Sequence, residues 1–539
     1  MTKNKQKIFA IAFGIFFFVV FFTLFMCILS KGYENEIDTN TFNCDPKQHF
    51  LIVLCGFNII ILATVICSNC SKIFNSKRII SIKEKDKKTK IIIFAVCGIM
   101  LLLQLLFGYL LAFKPVTDLE IVNNYAKNFA STGNFDKIQA DFDSGKSTYM
   151  MRYPNNMALL LILSFVYRID FLLTGYVSRY LPIIINCVLL NVSVLFTCLL
   201  ARKVLGNKKA LFTLLLCFFF APFYTYAPYY YTDSFSLPFV VISLYTIVSA
   251  INATSKKKKY LLFALSGFLI FCGFKIKGSV IIILAAAIVY LFFKLKFKNF
   301  LIVALTVVVG FGVPLFTFNT IIKNSGIITK EQYYDYEYPP THWVMMGLNT
   351  LGGYSPEDSK FTSSIIGKDN KVKAHLEEIK NRIDEYNSKD ITKGEVTLIS
   401  HLGRKVVWTW EDGTYYITHH IKKPINKYPF LRNYLDKNGK HHFRFVLYCC
   451  AYQLFLIFMM SMSGLKAIIE KKLTPTTLFR IVVFFTLVFF SIWEARSRYL
   501  FNVSPLFIIL AADGIGFLPI VSKKLHKYKL FSPEGVFQD

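Results

Sequence analysis

Lys114-Pro115-Val116-Thr117-Asp118-Leu119-Glu120 follows directly on an apolar run, residues 91–113. A run of that length crosses a hydrocarbon core of about 30 Å as a helix, so two carboxylates stand where a span meets water. Charge is costly to hold close to lipid, and an ionisable residue at that depth is a candidate functional group. The same residues have a plainer reading, in which Thr117 and Asp118 cap a helix that starts near Leu119.

Outward from this stretch the chain keeps its character. Of 539 residues, 54% are hydrophobic and 17% aromatic, with a mean hydropathy of +0.46, too apolar for a set of soluble domains. Apolar runs long enough to span recur along the sequence. The class expected is an all-α polytopic membrane protein. A formal charge of +29 raises nucleic acid as a partner, but the lysines stand in short clusters between apolar runs. That is the positive-inside pattern, and it excludes the nucleic-acid reading.

The basic clusters at the N-terminus and at residues 72–90, 202–209, 256–259, 294–298, 466–472 and from Lys523 onward are assigned to the cytoplasm. Both termini are then cytoplasmic and the protein lies in the cell membrane. The clusters alternate correctly with about twelve spans: 8–30, 50–68, 91–113, 178–200, 209–227, 234–251, 260–274, 279–293, 300–321, 445–465, 476–493 and 499–519. This requires residues 157–166 to form an interfacial helix in the outer loop. The first span resembles a signal sequence, but its apolar run is too long and no small-residue cleavage site follows, so a retained span is expected. Four segments follow: an accessory two-span module with its basic linker (1–90), a membrane core (91–322), a large outer insert (323–444) and the last membrane helices with a cytoplasmic tail (445–539). The insert is expected to be α+β, with a helix over 373–386 and a strand and turn over 405–416.

Most of the 12 cysteines lie in apolar spans, where cysteine acts as a small hydrophobe. Cys44 alone falls in a probable outer loop, so no disulfide framework is expected. His342, His401, His419 and His420 lack a metal-ligand spacing and read as surface histidines. Trp408 and Trp410 alternate as on a strand, either as a small core for the insert or as a sugar-stacking platform.

Four further clusters share the outer side with Asp118 and Glu120. Arg152-Tyr153-Pro154-Asn155-Asn156 opens the interfacial helix; it suits a helix start, while an arginine at headgroup depth also suits a lipid phosphate. In Tyr229-Tyr230-Tyr231-Thr232-Asp233 an aromatic belt accounts for the tyrosines but not for Asp233. Lys275-Ile276-Lys277-Gly278 puts lysines against the positive-inside bias, as headgroup anchors or as phosphate ligands. Glu494-Ala495-Arg496-Ser497-Arg498-Tyr499 adds arginines suited to bidentate phosphate recognition. Carboxylates and cations thus gather on one face, the arrangement that a membrane-anchored phosphate substrate requires.

With Thr117-Asp118, Tyr153-Pro154, Ala201-Arg202-Lys203-Val204-Leu205-Gly206, Tyr231-Thr232-Asp233, Phe274-Lys275-Ile276-Lys277-Gly278 and Arg498-Tyr499-Leu500 in this order, the chain resembles the GT-C glycosyltransferases. The resemblance is to the protein O-mannosyltransferase and aminoarabinose-transferase kind, in their Gram-positive bacterial form, and runs from about residue 91 to 518. It implies a GT-C-like helical bundle that takes a polyprenyl-phosphate-linked sugar at the outer face. The acceptor would be a cell-wall glycopolymer, a lipid or a protein. Asp118 is implied as the essential carboxylate, with Glu120 and Asp233 as further catalytic candidates. Lys277 and Arg498 are implied as donor-phosphate ligands, with Arg152 and Tyr153 beside them. Aminoarabinose transferases carry a charged residue before the loop proline; Tyr153 stands there in this chain. Some members of the fold use a divalent metal, and Asp118, Glu120 and Asp233 are the oxygen donors available to Mg or Mn. A lipid-linked oligosaccharide flippase or transporter and a polysaccharide polymerase are the competing readings. A transporter would more often place its charges at mid-membrane.

Overall fold

A computed structural model describes residues 3–30, 45–73, 82–426 and 428–517. Cys44, most of the loop 31–49, part of the basic linker and the tail from Lys523 lie outside the described residues.

The fold is a helical bundle whose long helices run between two ends. One end is marked by Asp86, Lys209 and Lys294. Arg202 pairs with Asp86 there, Lys209 Nζ donates to Asp513 O at 3.0 Å, and Lys294 Nζ donates to Leu473 O at 3.1 Å. The other end carries Tyr109, Tyr229, Asp233 and Arg498. Asn191 Nδ2 donates to Cys97 O at 2.8 Å, which sets helices Ile82–Leu110 and Leu181–Leu205 side by side and antiparallel.

Among the described residues, eleven helices are long and apolar enough to cross a membrane. One of them covers Pro154–Thr174, yet the connections show that it does not join the two ends. The chain leaves helix Ile82–Leu110 beside Tyr109 and re-enters at Tyr180, and the two rings lie 5.6 Å apart. Everything between them therefore stays at one end. Helix Met157–Thr174 packs along Thr117–Thr132 instead, with Tyr167 Oη donating to Asn123 Oδ1 at 2.6 Å and Arg168 Nη1 to Ala130 O at 2.7 Å. The helix expected over 157–166 is present and extends eight residues beyond 166.

Two shorter segments do join the ends. Asn207–Phe219 breaks at Phe220, restarts as Pro222–Thr225 and arrives at Tyr229. Gly278–Val280 and Ile281–Lys294 return from Lys277 to the opposite end. With these, and without Pro154–Thr174, twelve segments among the described residues run between the two ends in the expected order. Hydrophobic length misjudges such pieces because a break near a site shortens each helix.

The insert departs from expectation. Among its described residues it has no strand: it is built of helices, among them Pro340–Gly347, Pro356–Ser364, Lys368–Asn387 and Leu398–Glu411. The helix expected over 373–386 lies within Lys368–Asn387. The strand expected over 405–416 is instead the helix Leu398–Glu411. Its buried face is His401, Lys405, Trp408 and Thr409, spaced as a helix requires. Three of these four are polar, so hydrophobic periodicity did not report the stripe. Lys405 Nζ donates to Gly347 O at 2.8 Å and Ser491 O at 3.2 Å. Burial pushes the Lys405 ammonium down to about 7, with Glu494 opposing that shift. Trp410 is fully buried between Phe21 and Phe507, so the insert is wedged into the bundle rather than floating above it. His342, His401 and His420 are buried as well, against the surface positions expected of them. His342 and His375 meet through the Thr362 hydroxyl, at 2.7 and 2.9 Å. Burial depresses both imidazoles, to about 3 and about 4, so both are neutral near pH 7.

Candidate functional site

Thr117 begins the site with a left-handed backbone, φ +53°. For a β-branched residue that conformation is strained, and such strain collects at functional positions. The following helix takes Val116 as its N-cap and has no side-chain cap. The capping explanation of Thr117 and Asp118 therefore fails. Asp118 turns inward, where Tyr231 Oη donates to its Oδ2 at 3.3 Å. Tyr231 Oη also lies 3.3 Å from Asn156 Oδ1, and Asn156 Nδ2 donates to Tyr149 Oη at 2.7 Å. Burial, then Tyr231 and Asp118, hold the Tyr149 phenol well above its usual range, so it stays protonated beside the carboxylate. Tyr153 lies between Tyr149 and Tyr338, with ring centres 5.0 and 5.1 Å away, and completes this side of the site.

Glu120 does not join. It is exposed, because residues two apart on a helix point to nearly opposite sides. Arg152 is half-buried at the insert boundary: its carbonyl accepts from Tyr338 N–H at 3.1 Å and its charge acts on Lys371.

The opposite wall comes from the Tyr229–Asp233 turn and the last two segments. Asp233 is fully buried in the first turn of its helix. Lys277 pairs with its Oδ1, while Oδ2 has no partner among the described residues. The Lys277 ammonium also stands 4.7 Å from the Tyr499 ring centre. Tyr499 Oη in turn donates to Glu494 Oε2 at 2.8 Å.

Arg498 is the unusual group. No carboxylate lies within ion-pair distance of it among the described residues, and its Nε has no partner. Three tyrosines surround it instead. Nη1 donates to Tyr229 Oη at 3.1 Å, and the guanidinium lies 5.0 Å from the Tyr499 ring centre and 5.8 Å from that of Tyr231. Tyr231 therefore has Asp118 at its hydroxyl and Arg498 over its face. A carboxylate and a cation that has no ion-pair partner among the described residues, separated by one phenol ring, can accept a proton on one side and hold an anion on the other.

Of the residues singled out in the sequence, Asp118, Tyr153, Asp233, Lys277 and Arg498 belong to one linked group of side chains, whereas Glu120 and Arg152 point elsewhere. Asp118, Glu120 and Asp233 form no common cluster: Glu120 faces away and Asp233 is taken by Lys277. No group of three metal-ligating side chains occurs among the described residues. The sequence reading missed Tyr149, Asn156, Glu494 and His420 as members of this group. Asn156 and Glu494 stood inside quoted clusters, but Tyr149 and His420 had no local signal.

No curated protein matches the sequence. Among solved structures, the oligosaccharyltransferase AglB from Archaeoglobus fulgidus, in complex with an inhibitory peptide and a dolichol-phosphate, is similar over 83% of this chain and 52% of its own. The identity is 14% and the TM-score 0.43. ArnT from Cupriavidus metallidurans, bound to undecaprenyl phosphate, is similar over 82% of this chain and 81% of its own, at 11% identity and a TM-score of 0.32. The chain spans about half the length of the archaeal oligosaccharyltransferase. An oligosaccharyltransferase and an aminoarabinose transferase are thus among the solved structures similar to it. The family model described as a conserved hypothetical integral membrane protein matches residues 1–515, and the chain belongs to that family.

Proposed function

We propose that this protein transfers a sugar from a polyprenyl-phosphate donor to an acceptor hydroxyl at the outer face of the membrane. The observation that carries the reading is the pairing of Asp118 with Arg498 across Tyr231. Asp118 removes the acceptor proton as the oxygen attacks the anomeric carbon. The bond from that carbon to the phosphate oxygen breaks, and its electrons pass to the lipid phosphate. Arg498, with Lys277 behind it, stabilises the charge that develops there in a site screened from water. The dispersed carboxylates leave no three-residue cage for Mg or Mn, so no step is routed through a metal.

Binding of the lipid tests this directly. Purified protein should bind undecaprenyl phosphate and not undecaprenol. Arg498→Ala should weaken binding about 10- to 150-fold, the loss of a hydrogen bond to a charged group worth roughly 1.5–3 kcal/mol. Equal binding of the alcohol and the phosphate, or an unaffected variant, would remove the basis of the reading.

The outer assignment rests on the lysines. Clusters 256–259, 294–298 and 466–472 gather at the end opposite Asp118 and Arg498, which the positive-inside tendency assigns to the cytoplasm. Single cysteines placed at the exposed residues Ser388 and Ser255, in a background lacking Cys44, should differ in intact cells. An impermeant thiol reagent should label the first and spare the second. Equal labelling would overturn this orientation.

A further inference from the structure

We propose that His420, supplied by the insert, is a second ligand of the donor phosphate and donates an Nε2–H hydrogen bond to it beside Arg498. This deepens the reading above and rests on it. His420 is 6% exposed, and its Nε2 has no hydrogen-bond partner among the described residues. A buried polar atom left without a partner costs stability and calls for an explanation. The ring stacks on Tyr229, with centroids 4.4 Å apart and planes 14° from parallel. That same Tyr229 hydroxyl accepts from Arg498. His420 and Arg498 therefore meet at opposite parts of one phenol, each with an unpartnered N–H donor site.

The backbone is built to hold the imidazole there. Tyr415 and Tyr416 both take left-handed conformations, φ +52° and +62°, rare for bulky residues. Asp412 clamps this turn. It accepts from Thr414 N–H at 2.8 Å, Thr414 Oγ1 at 2.6 Å and Tyr416 N–H at 3.1 Å. It also accepts from Ser497 Oγ at 2.6 Å, which ties the turn to the residue before Arg498. Gly413 is required because a Cβ there would strike Cys449 O. A strained turn fastened to the Arg498 segment is a device for placing the residues that follow it.

The charge pattern suits an anion. Burial, then Arg498, His419, Arg496 and Lys422, push the His420 imidazole well below its ordinary range. It is neutral near pH 7 and donates without bringing another positive charge. When the sugar leaves, the bond electrons move to the phosphate, which becomes a monoester with more negative charge. A fixed N–H donor aimed at that oxygen gains strength as the charge grows.

The test uses the full-length protein in detergent, with undecaprenyl phosphate as probe and undecaprenol as control. His420→Gln keeps a side-chain N–H, His420→Met has similar length without a donor, and His420→Phe keeps the ring stack alone. The Gln variant should bind within about threefold of the parent, whereas Met and Phe should each lose about 10-fold or more. Size-exclusion profiles identify any variant that fails to fold, and the Gln–Met comparison stands if Phe does. Equal affinity of Gln and Met would overturn the assignment. If the parent binds phosphate and Arg498→Ala does not, such equality sinks the His420 role alone. If the parent itself ignores the phosphate, the glycosyltransferase reading falls first.

Discussion

Asp118→Asn should lower sugar transfer by about 10²–10⁴-fold, the usual contribution of a general base, while the folded protein accumulates normally. The carboxylate makes no capping hydrogen bond to its own helix, and its partner is the Tyr231 hydroxyl at 3.3 Å. An asparagine oxygen still accepts from that hydroxyl. What the amide cannot do is take up the acceptor proton. Glu120→Gln is the matched control, since its exposed side chain points away from Tyr231 and Arg498 and should leave the rate unchanged. The measurement is turnover of a polyprenyl-phosphate sugar by purified protein, with size exclusion to report folding. A well-folded Asp118→Asn protein working at the parent rate would mean that proton removal occurs elsewhere.

Lys277→Met should prevent normal accumulation of the protein. Asp233 is fully buried, and the Lys277 ammonium is the only cation with which it pairs among the described residues. Removing one partner of a buried ion pair strands the other charge and costs roughly 3–5 kcal/mol, a large part of the stability of an ordinary fold. The double variant Lys277→Met with Asp233→Leu replaces both charges by apolar groups and should restore the amount of folded protein. It should not restore donor use, because the site has lost the cation beside Arg498. Normal levels of the single variant would show that Asp233 is already neutral or solvated. Full activity of the double variant would confine Lys277 to a structural role.

Much of the architecture could be read from local pattern. Spans of about 20 apolar residues, the lysines between them and the short run at 157–166 were sufficient for the traverse order, because the bilayer imposes helix length and charge bias residue by residue. Asp118 was also legible, since a carboxylate at the end of a span is conspicuous in one dimension. The helix Leu398–Glu411 was not. Its buried stripe includes His401 and Lys405, whose burial depends on carbonyls at Gly347 and Ser491, and no periodicity scale anticipates partners that far along the chain.

The sequence by itself determined a polytopic helical membrane protein with carboxylates and cations gathered at one end. Only the tertiary structure decided what those charges do. Lys277 and Arg498 read alike as outward cations, yet Lys277 meets Asp233 from 44 positions away. Arg498 instead meets Tyr229 from 269 positions away and, among the described residues, has no carboxylate within ion-pair distance. His420 read as a surface residue and proved buried against the same tyrosine. Hydropathy and helical spacing act within a few turns of chain. Whether a buried charge is neutralised depends on which distant groups the packing brings within about 4 Å, where Coulomb attraction in a poorly screened interior is strong.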